Sequence, residues 1–164
     1  MIASEIATKD QSRLELRRRM ALQRQIELRM NSLIERMTTL VDQETQVAQS
    51  RMEKHQIKNL LGVAMGTPSV QVVQHYILYQ VGRDVAGNNW RHQEFGKSLV
   101  EALGSLKKDA EQIARGVHEN LNLPDPDQLQ IDEAWMWLVR AYLGQLNRYF
   151  YYQKEALRWQ RATS

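Results

Sequence analysis

The chain has 164 residues, 43% hydrophobic and 25% charged, with a net charge of +3, which is ordinary composition for one domain with a real core. It contains no cysteine, which excludes disulfide staples and thiolate zinc sites. No run approaches the ~18–20 apolar residues of a membrane span, and "MIASEIATKDQSRLELRRRM" lacks the apolar segment of a secretory leader, so the sequence reads as a soluble, cytoplasmic protein.

The charge is unevenly placed. Residues 1–60 hold 11 Lys+Arg against 8 Asp+Glu, whereas residues 61–164 hold 11 of each. The excess concentrates between Arg13 and Arg36, a pattern that points to an acidic partner, nucleic acid first, or to a solvated helix face.

The first predicted element is a helix over about 10–48, free of glycine and proline. Leu22, Ile26, Met30, Leu33, Met37 and Leu40 recur at helical spacing on one broad face. Arg18, Arg29 and Arg36 line one edge of that face, and Arg13, Arg17 and Arg24 group opposite. Ser12 with Glu15 and Ser50 with Glu53 fit the S-x-x-E capping box, so a second helix is expected over about 51–65. In "GTP", residues 66–68, Gly66 suits a left-handed helix end, Thr67 a cap and Pro68 a first turn. A third helix follows over about 68–84, with Val70, Val73, Ile77 and Val81 on one face.

"AGNNW" breaks the chain, and Asn88 or Asn89 is placed to cap a fourth helix carrying Leu99, Leu106 and Ile113. "NLNLPDPDQLQ" reads as a loop, because its two X-Pro steps favour extended backbone. The fifth helix, about 131–160, carries Trp135, Leu138, Tyr142 and Leu146. No segment alternates with period two for long. The expected fold is an all-α bundle of about five helices: a basic amphipathic N-terminal helix (1–48) continuous with a helical core (49–164).

Signatures of catalysis are absent. There is no glycine-rich phosphate loop and no H-E-x-x-H. None of His55, His75, His92 and His118 follows a glutamate by three residues, as di-iron bundles require. The expectation is a non-enzyme with no cofactor and no metal. Adjacent aromatics on a helix cannot all face one core, so Trp137, Tyr151 and Trp159 are candidates for a subunit interface.

Arg83 ends the run "HYILYQVGRD". As a last-turn cation it complements the helix dipole by ~0.3–1 kcal/mol. A guanidinium can equally hold a phosphate by charge-assisted bonds, and both readings stand. Gly82 beside it costs ~1 kcal/mol relative to alanine and is expected where another backbone comes close.

"HQIKNLL" (55–61), followed by "YQVGRD" (79–84), resembles the small all-helical subunit of type III CRISPR effector complexes, and of related type I-D complexes, over roughly residues 50–152. That family shows a Gln-Ile-Arg-like segment opening one helix and a Tyr-Gln-x-Gly-Arg-like segment closing the next. The resemblance implies a non-catalytic subunit that stacks as adjacent copies beside larger subunits. It would contact guide RNA and target nucleic acid through basic side chains without reading bases. Lys58 then stands for the first segment's arginine and Arg83 for the second's, with Tyr79 and Gln80 alongside. Arg51 and Lys54 lie on nearby turns, and Arg18, Arg29 and Arg36 extend the cationic set. Such contacts release counterions and so weaken with salt. Two other readings start from the first helix. It could pair in a structural coiled-coil adaptor, or lie on an anionic membrane through Arg17, Arg18, Arg19 and Met20. The second is the weaker, since that helix's apolar face serves the core.

Overall fold

The computed structural model describes residues 1–164 and is all-helical. Its elements are α1 (Ile2–Leu28), α2 (Met30–Thr39), a π turn (Leu40–Glu44), a 3-10 turn (Val47–Gln49), α3 (Lys54–Met65), α4 (Val70–Arg83), a second 3-10 turn (His92–Glu94), α5 (Phe95–Asn120) and α6 (Gln128–Thr163). The expected fold class therefore holds, with the first helix divided. It breaks at Arg29, where φ is −93° and ψ is 0° and the N–H is shared between the Gln25 and Ile26 carbonyls. Asn31 and Ser32 follow, residues whose side chains compete with helical hydrogen bonding.

The helix ends differ from the sequence reading because short capping patterns are degenerate. Ser12 sits inside α1, its hydroxyl donating to the Thr8 carbonyl (2.9 Å). Ser50 turns back to the Val47 carbonyl (2.6 Å), and Glu53 caps α3 in a reciprocal box with Gln56. Gly66 ends α3 with a right-handed φ of −97°, so it is not the left-handed terminator expected. Ser69, one residue past Pro68, caps α4 by accepting from Val72 N–H (3.4 Å). Neither Asn88 nor Asn89 caps α5, which instead follows Gln93 and Glu94, both with positive φ. Asp127 caps α6 in a box with Gln130, so that helix starts at Gln128 rather than near 131.

Long α6 is the centre of the bundle and packs against α5, α3, α2 and α4. Arg18 meets Glu133 and Tyr149 meets Asp42, so α1, α2 and α6 run in one direction. Arg140 bonds the Ala64 and Thr67 carbonyls while Lys54 reaches Glu155, so α3 runs the opposite way. One cluster of 33 buried apolar residues extends from Leu22 to Phe150, and it includes Ile26, Leu33 and Met37 of the basic N-terminal segment. Residues 1–48 are thus joined to the core through a shared apolar face, each Leu-sized side chain contributing ~1.5–3 kcal/mol. The indole of Trp135 is buried and donates to the Leu103 carbonyl (2.8 Å).

Close backbone approach occurs at Gly96, not at Gly82. A Cβ on Gly96 would overlap Val81 Cγ2 and lie 3.0 Å from the Trp90 carbonyl oxygen, whereas one on Gly82 meets nothing within 4 Å. No helix is long and apolar enough to cross a membrane.

Candidate nucleic-acid interface

The Tyr-Gln-x-Gly-Arg stretch closes α4, and the loop after it is organised by one carboxylate. Asp84 is buried and accepts from the N–H groups of Gly87 (3.1 Å), Asn89 (2.9 Å) and Arg91 (2.9 Å). Burial pushes this carboxyl up. The donors of Arg91, Asn89 and Gly87 together outweigh burial and hold it below the usual range. Gly87 supplies the one glycine with positive φ, +75°. The Arg91 guanidinium also folds back onto the Asp84 carbonyl (3.1 Å). Across the loop, Arg51 N–H donates to the Asn88 carbonyl (2.9 Å), which ties the approach to α3 to the exit from α4.

This tie places Arg51 and Arg83 at the open end of the α3–α4 hairpin, with Lys58 a turn into α3. All three side chains are exposed, and none forms an ion pair. Arg83 lies over the exposed Tyr79 ring, 5.4 Å from its centroid, and that contact orients the guanidinium without neutralising it. Asp84, its neighbour, is occupied with loop N–H groups. Arg83 does stand in the last turn of α4, where its charge complements the helix dipole, and its guanidinium has no carboxylate partner, so both roles weighed for it still stand.

The other expected cations are committed elsewhere. Arg18 is a correction to the sequence reading. It is 4% exposed and donates to Glu15 (3.0 and 2.8 Å) and Glu133 (2.8 Å), leaving no free edge for a phosphate. The bond to Glu15 raises its already high pKa further, and Glu15 is lowered in turn, first by that same bond. Arg29 and Arg36 converge on Asp109 (3.3 and 3.1 Å), with Arg36 also donating to Ser105 (3.0 Å). Lys54 is paired with Glu155 and sits 4.1 Å from the Tyr151 ring centroid. The hydrogen bond to Glu155 raises its pKa, so it stays charged but matched. The structure leaves free the opposite row, Arg13, Arg17 and Arg24, which is exposed and unpaired.

Residues not singled out from sequence join the same end. Lys154 donates to the Ser50 carbonyl (2.7 Å), its pKa lowered by burial. Arg91 and Arg161 are exposed, and Arg148 is exposed one turn before Tyr151 on α6. Arg148 sits inside "NRYFYY", where the aromatics drew attention away from the cation.

Among the interface candidates, Tyr151 and Trp159 are more than half exposed on the last turns of α6. Trp137 is half-buried against the core and borders a groove with Ile26, Met30 and Arg140. The α1–α2 segment partly covers it, which is why it does not stand out as a free aromatic.

No cluster of three or more His, Cys, Asp or Glu side chains could hold a metal ion. His118 is buried, with Nδ1 2.7 Å from the Pro124 carbonyl oxygen. The groove of about 540 Å³ between the start of α4 and the start of α6 is lined by Pro68, Ser69, Lys107, Leu129, Asp132, Glu133 and Trp135, and the Ser69 hydroxyl there accepts from Val72 N–H as the cap of α4. No protein-family model matches the chain, and neither a curated protein nor a solved structure matches it.

Proposed function

We propose that this protein is a non-catalytic small subunit of an RNA-guided effector complex of the type III CRISPR kind, or its type I-D relative. It grips the sugar–phosphate backbone of guide RNA or target nucleic acid without reading bases. The observation that carries the reading is that Arg51, Lys58 and Arg83, all on the α3–α4 hairpin, are exposed and have no carboxylate partner. Two of these residues stand in the segments that resemble the family. Rigid placement matters because an Arg or Lys already held in position loses less rotamer freedom on meeting a phosphate. Adjacent copies beside larger subunits would multiply a weak single-copy affinity. The proposed setting is cytoplasmic.

The test is binding of a single-stranded RNA and of an RNA–DNA duplex, followed by fluorescence anisotropy across a salt series. With roughly four phosphate contacts, affinity for the single strand should fall about 50-fold between 50 and 200 mM salt. Lys58→Ala with Arg83→Ala should weaken binding of all sequences alike and flatten the log–log salt slope by about 1.4. No measurable RNA affinity at low salt, alone or in an assembly, would sink the reading. It would favour an oligomeric adaptor without nucleic acid, to which the exposed Tyr151, Tyr152 and Trp159 on α6 lend support.

A further inference from the structure

Between α2 with its π turn on one side and α5 on the other lies a pocket of about 560 Å³. Glu35, Glu44 and Glu101 line it, all exposed and none in an ion pair. Arg36, the one cation in the lining, is already matched by Asp109 at 3.1 Å. The pocket is therefore a negative spot on a chain whose net charge is +3. Tyr142 is the only lining residue from α6, and it reaches the pocket from beneath with the far end of its ring. This residue is 1% exposed, and its hydroxyl is buried without a hydrogen-bond partner. Burial is the main cause that raises its pKa, so it stays protonated, and the charges acting on it are those of Arg36 and Glu44 in the pocket wall. The hydroxyl thus faces the same space as the glutamates. A buried hydroxyl with no partner is costly, and folded proteins rarely keep one.

We propose that this pocket binds a linear aliphatic polyamine, its ammonium groups donating to the three glutamates and to the Tyr142 hydroxyl oxygen. The spread of the charges selects this chemistry. Glu35 on α2 and Glu44 at the end of the π turn stand roughly 13 Å apart along the helix axis, with Glu101 opposite on α5. Carboxylates so placed do not converge on one metal ion. A chain of amines joined by methylenes meets them one at a time. Its methylenes lie on Leu40, which falls between Glu35 and Glu44 in the chain, and on Ala102. A single ammonium would leave two carboxylates unmatched. Water would pair the hydroxyl and leave all three. An anion is disfavoured by the net charge of the lining. The site is separate from Arg51, Lys58 and Arg83, which belong to the α3–α4 hairpin, and does not rest on RNA binding.

The experiment is calorimetric titration of the full chain, free of RNA, with spermidine, n-butylamine and magnesium chloride at one ionic strength. Spermidine should bind in the sub-millimolar range, and butylamine about ten-fold more weakly, because two exposed ammonium–carboxylate contacts are lost. Glu44→Gln/Glu101→Gln should weaken spermidine about ten-fold and butylamine far less. Glu5→Gln/Glu119→Gln removes the same charge from exposed positions outside the pocket and should change neither. Tyr142→Phe keeps the ring and removes only the unpaired hydroxyl, so folding is kept, as thermal melts verify, and spermidine should weaken about five-fold. Equal affinity for spermidine and butylamine, tighter binding of magnesium, equal losses in the two glutamate pairs, or no binding at all overturns the proposal. So does an affinity that Tyr142→Phe leaves unchanged, which would assign the hydroxyl to water. A Lys-Gly-Lys-Gly-Lys peptide that binds more tightly than spermidine, and only with Glu44 and Glu101 in place, would make the occupant a lysine-bearing partner and overturns it too.

Discussion

Arg18, Arg29 and Arg36 on the N-terminal helices and Arg51, Lys58 and Arg83 around the α3–α4 hairpin are similar sets of cations in different electrostatic circumstances. The first three meet Glu15, Glu133 and Asp109, and two of those carboxylates come from helices far along the chain. The second three have no carboxylate within ion-pair distance, because the nearby Asp84 is consumed by loop N–H groups. An excess of positive charge in a stretch of sequence therefore does not measure the charge a partner would meet. Helix packing decides which cations are already answered, and here it answers the denser set.

Four measurements bear on that contrast. The largest effect is expected at Arg18. Its replacement by alanine removes three charge-assisted hydrogen bonds to Glu15 and Glu133, which keep only Arg19 (3.1 and 3.4 Å), and should cost about 2–3 kcal/mol in denaturant unfolding. RNA affinity of the folded fraction should not change; a loss of affinity would mean that the matched set also binds. Next comes Asp84. Asp84→Asn turns one accepting oxygen into an amide donor, so at least one of the three hydrogen bonds is lost and the rest lose their charge, which should cost about 2 kcal/mol at neutral pH. Because the carboxyl is depressed in the folded state, its contribution is complete above the usual carboxylate range. It is lost as pH falls below that range through the folded value, so the two stability curves should converge in acid. A constant gap would show that shape, not charge, matters at this site. Asp109→Asn should cost about 1 kcal/mol while freeing Arg29 and Arg36. RNA binding should then strengthen and its salt slope steepen, turning members of the matched set into the unmatched kind. The smallest effect is at Gly82, where alanine meets open space and should raise stability by about 0.5–1 kcal/mol with RNA binding intact.

The helices were legible in the sequence because the core faces repeat at helical spacing. Leu22, Ile26, Leu33 and Met37 are buried as the periodicity required, and so are Leu99, Leu106, Ile113, Leu138 and Leu146. Helix ends were less legible, since Ser12 and Ser50 fit a four-residue pattern that many non-terminal stretches also fit. The fate of single arginines was not legible at all. Nothing local to Arg36 announces Asp109, 73 residues on, or to Arg18 announces Glu133, 115 residues on. The grouping of Arg13, Arg17 and Arg24 opposite the other three was visible on the helical wheel. That this is the outward group depends on where α5 and α6 lie. Arg51 and Arg83 were nominated separately, and the bond from Arg51 N–H to Asn88 is what unites them.

The π turn at Leu40–Glu44 holds one residue more than an α-helical turn of the same span, with Thr45 N–H and its hydroxyl both donating to the Leu40 carbonyl. Because the surplus residue is taken up within that turn, the arginine rows before it need not shift if one residue is removed there. The same deletion between Arg18 and Arg36, within α1 or α2, would rotate one arginine by roughly 100° against the other and separate Glu133 from Asp109 as a matched set.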